Sequence, residues 1–236
     1  MSDAQVLIII PAYNEGFALE TTLEDLLKTP FPILVIDDGS TDNTLQVTQS
    51  KPVNYLAHSV NLGQGAALKT GMAWALKSGY KYVVHFDADG QHRSADIQTM
   101  LEKMIKASLD IVLGSRFLDQ QLAREIPLQR KWLLKIALFV DRLFSGVKLT
   151  DVHNGFRVLN HRAMSEMVLL SNGMAHASEI VWEIKRLSLK YAEAPVKIRY
   201  FEQRHKKSQS LYSGFVIFLQ LLKLKKKRKL HFRGKM

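Results

Sequence analysis

The sequence predicts an α/β fold: a mostly parallel sheet with helices covering both faces. Apolar, β-rich runs recur at Gln5 to Pro11, Ile33 to Asp37, Val53 to Ala57, Tyr82 to Phe86 and Asp110 to Gly114. Helical patterns separate them, and such alternation argues for parallel strands joined by crossover helices. Several runs also stop in a polar cluster. Ligands in this architecture bind outside the carboxyl ends of the strands, so those clusters are where chemistry is expected.

With 236 residues and 47% hydrophobic content, the chain can bury one large core with an appendage. The absence of cysteine excludes disulfides, thiolate zinc sites and cysteine nucleophiles, and agrees with a reducing cytosolic compartment. No basic start with a following apolar stretch reads as a signal peptide, and no segment reaches the ~18 to 20 apolar residues of a spanning helix. The net charge of +11 is uneven: residues 201 to 236 hold eleven Lys/Arg and one Glu, leaving +1 for the first 200. The expected division is a domain over 1–200 and a basic amphipathic tail over 201–236.

The first strand leads into Ala12-Tyr-Asn-Glu-Gly16. Pro11 is expected to end sheet pairing, and the polar residues then either face a ligand or open a helix with Asn14 as cap. The second strand ends in Asp37 and Asp38, followed by Gly-Ser-Thr-Asp42. Capping accounts for Ser40, Thr41 or Asp42, but not for two adjacent carboxylates; Asp37 suits hydrogen bonds from a base or ribose. The glycines of Asn61 to Gly71 suggest a dinucleotide fingerprint, yet Leu68 stands where its third glycine is required. A helix start close to a ligand is expected instead, with Lys69 either near phosphates or solvated.

The fourth run, Tyr82-Val-Val-His-Phe-Asp-Ala-Asp-Gly-Gln-His92, carries the strongest signal. In an extended strand, residues i and i+2 share a face, so Asp87 and Asp89 aim at one point and Gly90 lets the chain turn. Carboxylates so close repel unless a cation separates them, and Mg²⁺ or Mn²⁺ shared with substrate phosphates fits. A solvated acidic turn is the alternative for these four residues taken alone. His92, His153 and His176 read as hydrogen-bonding groups rather than metal ligands.

Together, Pro11-Ala-Tyr-Asn-Glu15, Asp37-Asp-Gly-Ser-Thr-Asp42 and Phe86-Asp-Ala-Asp-Gly-Gln-His92 resemble the nucleotide-sugar domain of the family 2 glycosyltransferases with the GT-A fold. Asn61 to Gly71, Gly114-Ser-Arg-Phe117 and Asp151-Val-His-Asn-Gly-Phe-Arg157 are similar to the branch containing dolichol-phosphate mannose and polyprenyl-phosphate glycosyl synthases. The resemblance implies that Pro11, Ala12, Tyr13, Glu15 and Ala88 line the nucleotide pocket, with Asp37 and Asp38 on base and ribose. Asp87, Asp89 and Gln91 would hold the metal against the diphosphate, Gln91 on resemblance alone. Arg116 and Arg130 become candidates for a lipid phosphate, since guanidinium suits a phosphate dianion, with Arg157 a third or the partner of a buried carboxylate. Arg130 lies in a helix candidate over Ile126 to Val147.

Asp151 and Glu179 are the other carboxylates in motif-like surroundings. A sugar acceptor requires a general base, whereas a lipid phosphate is already anionic. Pro195 to Tyr200 reads as a late strand, followed by Arg204 and Lys207, which suit diphosphate or lipid phosphate; the glycine common in the family's loop here is absent. Leu211 to Leu222 is apolar and Lys223 to Lys229 basic, a unit suited to an anionic membrane surface. The expectation is inverting, metal-dependent hexose transfer from a nucleotide diphosphate sugar to polyprenyl phosphate, by a peripheral protein on the cytoplasmic face of the membrane. Alternatives are a transferase extending a cell-surface polysaccharide or lipopolysaccharide, and a non-catalytic nucleotide-sugar-binding subunit. A separate membrane protein subunit is a further candidate partner; nucleic acid is disfavoured, because no aromatic-interleaved basic surface accompanies the tail.

Overall fold

The structure, a computed structural model, describes residues 5–118, 142, 146–152, 154–199 and 228. Along the chain run β1 (Val6–Ala12), α1 (Gly16–Leu26), β2 (Ile33–Asp37), α2 (Thr44–Gln49), β3 (Asn54–Ala57), α3 (Gln64–Lys77), β4 (Tyr82–His85), α4 (Ala95–Lys106) and β5 (Ile111–Ser115). They are followed by β6 (Arg157–Asn160), α5 (His161–Glu166), α6 (His176–Arg186) and β7 (Tyr191–Pro195). The strands form one sheet of seven in the order β3-β2-β1-β4-β6-β5-β7. All neighbours pair parallel except β6, which runs antiparallel to both β4 and β5.

The period of two in a strand sorts β1 between two cores. Val6, Ile8 and Ile10 pack with Leu19, Leu23 and Leu26 of α1 and Ile97, Met100 and Met104 of α4. Leu7 and Ile9 face the other way, onto Ala67, Leu68 and Met72 of α3 and Ile180 and Ile184 of α6. A strand buried on both faces has no polar position to offer, which is why its sequence is apolar throughout. Gly71 lets α3 lie close, since a Cβ there would strike the side chain of Ile9.

Two expectations need correction, and one strand, β6, was not anticipated. The last strand is Tyr191–Pro195, and residues 196–199 carry no regular structure, so Pro195 ends a strand rather than beginning one. The antiparallel β6 lies within what reads as a continuation of the Asp151 motif; at four residues it is too short to show a period. Pro11 does not end pairing altogether: β1 stops pairing with β4 at Ile9 but follows β2 through Ala12. Of the helix candidate over 126–147, residues 126–141 and 143–145 lie outside the described residues, and Val147 is not helical. No helix among the described residues is long and apolar enough to cross a membrane.

Candidate active site

Parallel β1, β2 and β4 deliver three loops to one rim of the sheet, and hydrogen bonds tie the first two together. Asn14, at φ 53°, accepts the Thr41 N–H on Oδ1 at 2.8 Å and donates its own N–H to Ser40 Oγ at 2.9 Å. It is a tie between loops rather than a helix cap; Glu15 holds the N-cap position of α1, without a side-chain cap bond. Asp42 accepts the Gly16 N–H at 3.0 Å.

The two β2 carboxylates do different work. Asp37 is buried, accepting the Ser40 N–H at 2.8 Å and the Tyr55 hydroxyl at 2.8 Å. Burial, then this bond, pushes the Tyr55 phenol up to about 12. Asp38 accepts the N–H groups of Leu62 at 3.0 Å and Gly63 at 2.6 Å, and faces His58 Nδ1 at 2.6 Å. It thereby fixes the turn that opens α3.

These loops enclose a cavity of about 530 Å³. Pro11, Ala12, Tyr13, Glu15 and Asp38 line it together with Asp87, Ala88 and Asp89. Gly155 and Arg157 form the floor beside Asp87, while Gly173, Met174, His176 and Ala177 make a wall. Asn172 seats that wall on α3: its carbonyl accepts the Ala66 N–H at 3.2 Å and its Oδ1 accepts Lys69 Nζ at 2.6 Å.

Asp87 accepts Gln64 Nε2 on Oδ1 at 3.1 Å and pairs through Oδ2 with His92 Nε2 at 3.0 Å. Burial alone would raise its pKa, but the His92 bond and the nearby charges of Arg157 and His176 hold it below the ordinary carboxylate range. Gly155 is required here, because a Cβ would overlap the Asp87 carboxylate. Asp89 accepts the Gln91 N–H at 3.0 Å. Two hard oxygen donors on one cavity fit a divalent cation. Among the described residues, no group of three or more His, Cys, Asp or Glu side chains stands ready to hold one. An octahedral Mg²⁺ would therefore need oxygens from phosphate and water, as such sites normally use.

Seven buried side-chain nitrogens have no hydrogen-bond partner among the described residues: both ring nitrogens of His85, His92 Nδ1, Asn154 Nδ2, Arg157 Nε and Nη1, and, away from this site on α6, Trp182 Nε1. Arg157 is 1% exposed, with Nη2 donating to the Val152 carbonyl at 3.4 Å. Burial draws its pKa down to about 10 against the opposing pull of Asp87 and Asp151. Burial first, then Arg157 and His176, lowers His85 to about 3, so its ring is neutral.

Arg116 and Asp151 form a pair outside the cavity lining. Arg116 Nε and Nη2 reach the two Asp151 oxygens at 2.6 and 2.7 Å, and the Arg116 N–H adds a third contact at 3.1 Å. Glu193 supports this pair from below, accepting the N–H groups of Thr150 and Asp151 at 2.8 and 3.0 Å.

A family model for glycosyl transferase family 2 matches residues 7–168, more than half of the sequence. The chain is a family 2 glycosyltransferase. The transferase is 30% identical over 95% of its length, and 98% of the relative's, to a UDP-N-acetylglucosamine–dolichyl-phosphate N-acetylglucosaminyltransferase of Methanococcus voltae. It is also 30% identical to an undecaprenyl-phosphate mannosyltransferase of Micrococcus luteus, covering 90% and 89% of the two chains. Among solved structures, glucosyl-3-phosphoglycerate synthase of Mycobacterium tuberculosis with phosphoglyceric acid superposes with a TM-score of 0.70. That match is 16% identical and covers 92% of this chain and 79% of the other, which shows the GT-A fold. The same enzyme with Mn²⁺, UDP and product matches at 0.66 and 15% identity, with the same two coverages. The enzyme is thus a glycosyltransferase that uses a nucleotide-sugar donor.

Of the residues singled out in the sequence of the transferase, Pro11, Ala12, Tyr13, Glu15, Asp38, Asp87, Ala88 and Asp89 share the cavity. Asp37, Lys69, Gln91, Arg116 and Asp151 are not among its lining. Arg130, His153 and Arg204 lie outside the described residues. Arg157 and Gly155 were flagged through the Asp151 motif, but not their position under Asp87. The buried His85 carried no sequence signal beyond being a polar residue inside an apolar strand, and that signal was available.

Proposed function

We propose that the transferase moves a hexose from a nucleoside diphosphate sugar to a polyprenyl phosphate, with inversion, at a membrane surface. The observation carrying this is that Asp87 and Asp89 share one cavity with the Pro11–Glu15 loop and Asp38. The nucleoside lies between that loop and the start of α3, leaving the diphosphate over Asp87 and Asp89. A bound Mg²⁺ or Mn²⁺ supplies neutralisation of the charge that grows on the departing diphosphate. Asp87 and Asp89 would hold it, with Gln91 beside them. His92 and Gln64 fix the Asp87 carboxylate, and Gly155 leaves it room. The acceptor oxygen attacks the anomeric carbon in line as the bond to the diphosphate breaks.

The state of Asp151 favours an anionic acceptor. Both its oxygens are taken by Arg116, so Asp151 acts by orienting that guanidinium rather than as a base. Arg116, together with Arg130, then contacts the acceptor phosphate, which needs no proton removed. Asp37 acts on the nucleoside indirectly, through the loop it shapes with Ser40 and Tyr55. Lys69, Arg204 and the lysines of the 201–236 segment assist with phosphates and with anionic lipid on the cytoplasmic face. The names of the relatives, which act on dolichyl and undecaprenyl phosphates, support the same acceptor class.

The experiment pairs labelled UDP-, GDP- and dTDP-sugars with undecaprenyl phosphate, dolichyl phosphate and an oligosaccharide. The expected result is metal-dependent label in the lipid phosphate fraction. Transfer to the oligosaccharide alone would overturn the acceptor assignment.

A further inference from the structure

Glu179 and Glu183 sit one turn apart on α6, on one face of the helix, and both are fully buried. Two adjacent carboxylates taken out of water need cations and hydrogen-bond donors. One cation is Arg186, whose Nε and Nη2 reach Glu183 at 2.8 and 2.6 Å. The other comes from far along the chain. Arg228, only 8% exposed, bonds Glu183 through Nη2, reaches Glu179 with Nη1 at 3.4 Å and donates to the Val168 carbonyl at 3.2 Å. Its guanidinium also lies over the Trp182 ring, 5.8 Å from the centroid.

The same carboxylates accept the backbone N–H groups of the segment that precedes the cavity-lining residues: Val168 at 2.8 Å, Leu170 at 3.0 Å and Ser171 at 2.7 Å. Those residues lead directly into Asn172, which is seated on α3, and into the Gly173–Ala177 wall. We propose that Arg228 is a positioning residue: it neutralises the Glu179/Glu183 pair, and through that pair it fixes the 168–177 wall of the donor pocket. Within the basic C-terminal run, Arg228 therefore belongs to the catalytic domain, whereas the sequence assigns the rest of the run only a basic character. Arginine is specified because three acceptors, on Glu179, Glu183 and Val168, converge on one planar group, which a lysine ammonium satisfies less well.

The link from wall to nucleotide rests on the proposed function, whereas the clamp itself does not, so the two are measured separately. Full-length wild type, Arg228→Met, Arg228→Lys and, as a control in the same basic run, Lys226→Met are compared by hydrogen exchange and by calorimetric titration with UDP and GDP in Mn²⁺. In Arg228→Met, the amides of Val168, Leu170 and Ser171 are expected to exchange about tenfold faster or more, a change larger than in the β1 and β2 amides. Affinity for whichever nucleotide wild type binds is expected to fall about fivefold or more. Arg228→Lys falls between, and Lys226→Met matches wild type. If Arg228→Met does not fold, Arg228→Lys carries the comparison. Unchanged exchange at the three amides overturns the clamp, as does an equal change in Lys226→Met. Faster exchange with unaltered nucleotide affinity overturns the link to the pocket. Faster exchange in a protein whose wild type binds neither nucleotide supports the clamp and counts against the donor assignment instead.

Discussion

Two buried polar clusters in this molecule solve the same problem in opposite ways. At Glu179 and Glu183, every carboxylate oxygen has a donor, drawn from three backbone amides and two arginines. Under Asp87, by contrast, His85, His92, Asn154 and Arg157 keep nitrogens without partners among the described residues. Unsatisfied buried groups each cost free energy, and proteins rarely tolerate several together without a reason. In the first cluster the carboxylates are fully satisfied, the indole N–H of Trp182 beside them being its one unpartnered buried polar atom among the described residues, and the cluster serves the fold. The second is poised around the carboxylate expected to meet a cation and a diphosphate, where fixed, under-bonded donors are useful.

That contrast breaks most visibly at the pocket. Asp89→Asn removes one of the two carboxylates proposed to hold the cation and is expected to lower kcat/KM by about a thousandfold or more. UDP or GDP binding measured in EDTA should be unchanged, which separates loss of the cation from loss of the fold. Next in size comes the first cluster. Glu183→Ala leaves Arg228 and Arg186 facing a buried gap, and breaking a buried pair from one side costs about 3 to 5 kcal/mol. For a chain of this size that corresponds to a drop in Tm of about 10 °C, read by calorimetry.

Gly155→Ala tests the meeting point of backbone and carboxylate. The added methyl cannot coexist with the present Asp87 carboxylate, so Asp87 must turn or β6 must shift. A destabilisation of about 1 to 3 kcal/mol is expected, with metal-dependent nucleotide binding lost to a greater degree than stability. Arg157→Met sharpens the comparison from the other side. Replacing this under-bonded buried cation by an apolar chain of similar length also removes a charge that helps hold Asp87 ionised, and is expected to lower the stability of the ligand-free protein by about 1 to 2 kcal/mol, less than the loss in Glu183→Ala. Nucleoside diphosphate affinity in Mn²⁺ should nonetheless fall about tenfold. A large loss of stability would show that Arg157 is a structural counter-ion and would erase the distinction between the clusters.

The sequence made the rim of the sheet legible because strand ends punctuate it: Pro11, Asp37 and Asp87 each stand where an apolar run stops. Eight of the residues marked this way do share one cavity. What stayed hidden depends on contacts between distant segments. Asp151 and Arg116 looked like two catalytic candidates because their 35-residue separation concealed a bidentate pair. Arg228 looked like one more base in a lysine-rich run, since nothing local tells a solvated arginine from one inserted between two glutamates. Glu179 was visible as a carboxylate in a motif-like setting, yet its partners at 170, 171 and 228 lie outside any helical spacing. Strand β6 was missed because its four residues follow the Asp151 motif without a turn signal.

A last test concerns acid, where the two clusters lose stability in different windows. Glu183 is depressed below the ordinary range: burial opposes this, but Arg186, the Val168 N–H and Arg228 together outweigh it. A carboxylate with a lowered folded pKa contributes stability that is complete above its unfolded value, about 4.3, and is lost as pH falls through the folded value. His85 behaves differently. Held neutral with a folded pKa of about 3, it takes no proton in the native state while the unfolded chain does so below about 6.5. The unfolded state then binds more protons, so stability falls with decreasing pH from about 6.5 downward, with a slope approaching about 1.4 kcal/mol per pH unit. Urea midpoints measured from pH 7 to about pH 3 should thus show a decline in wild type that is shallower in His85→Leu between pH 6.5 and 4.5. Glu183→Gln, lower in stability at neutral pH, should retain that decline and lose only the steeper part below about 4.3. Equal slopes in wild type and His85→Leu would mean that the ring is charged in the native state. The donors beneath Asp87 would then include a second cation beside Arg157.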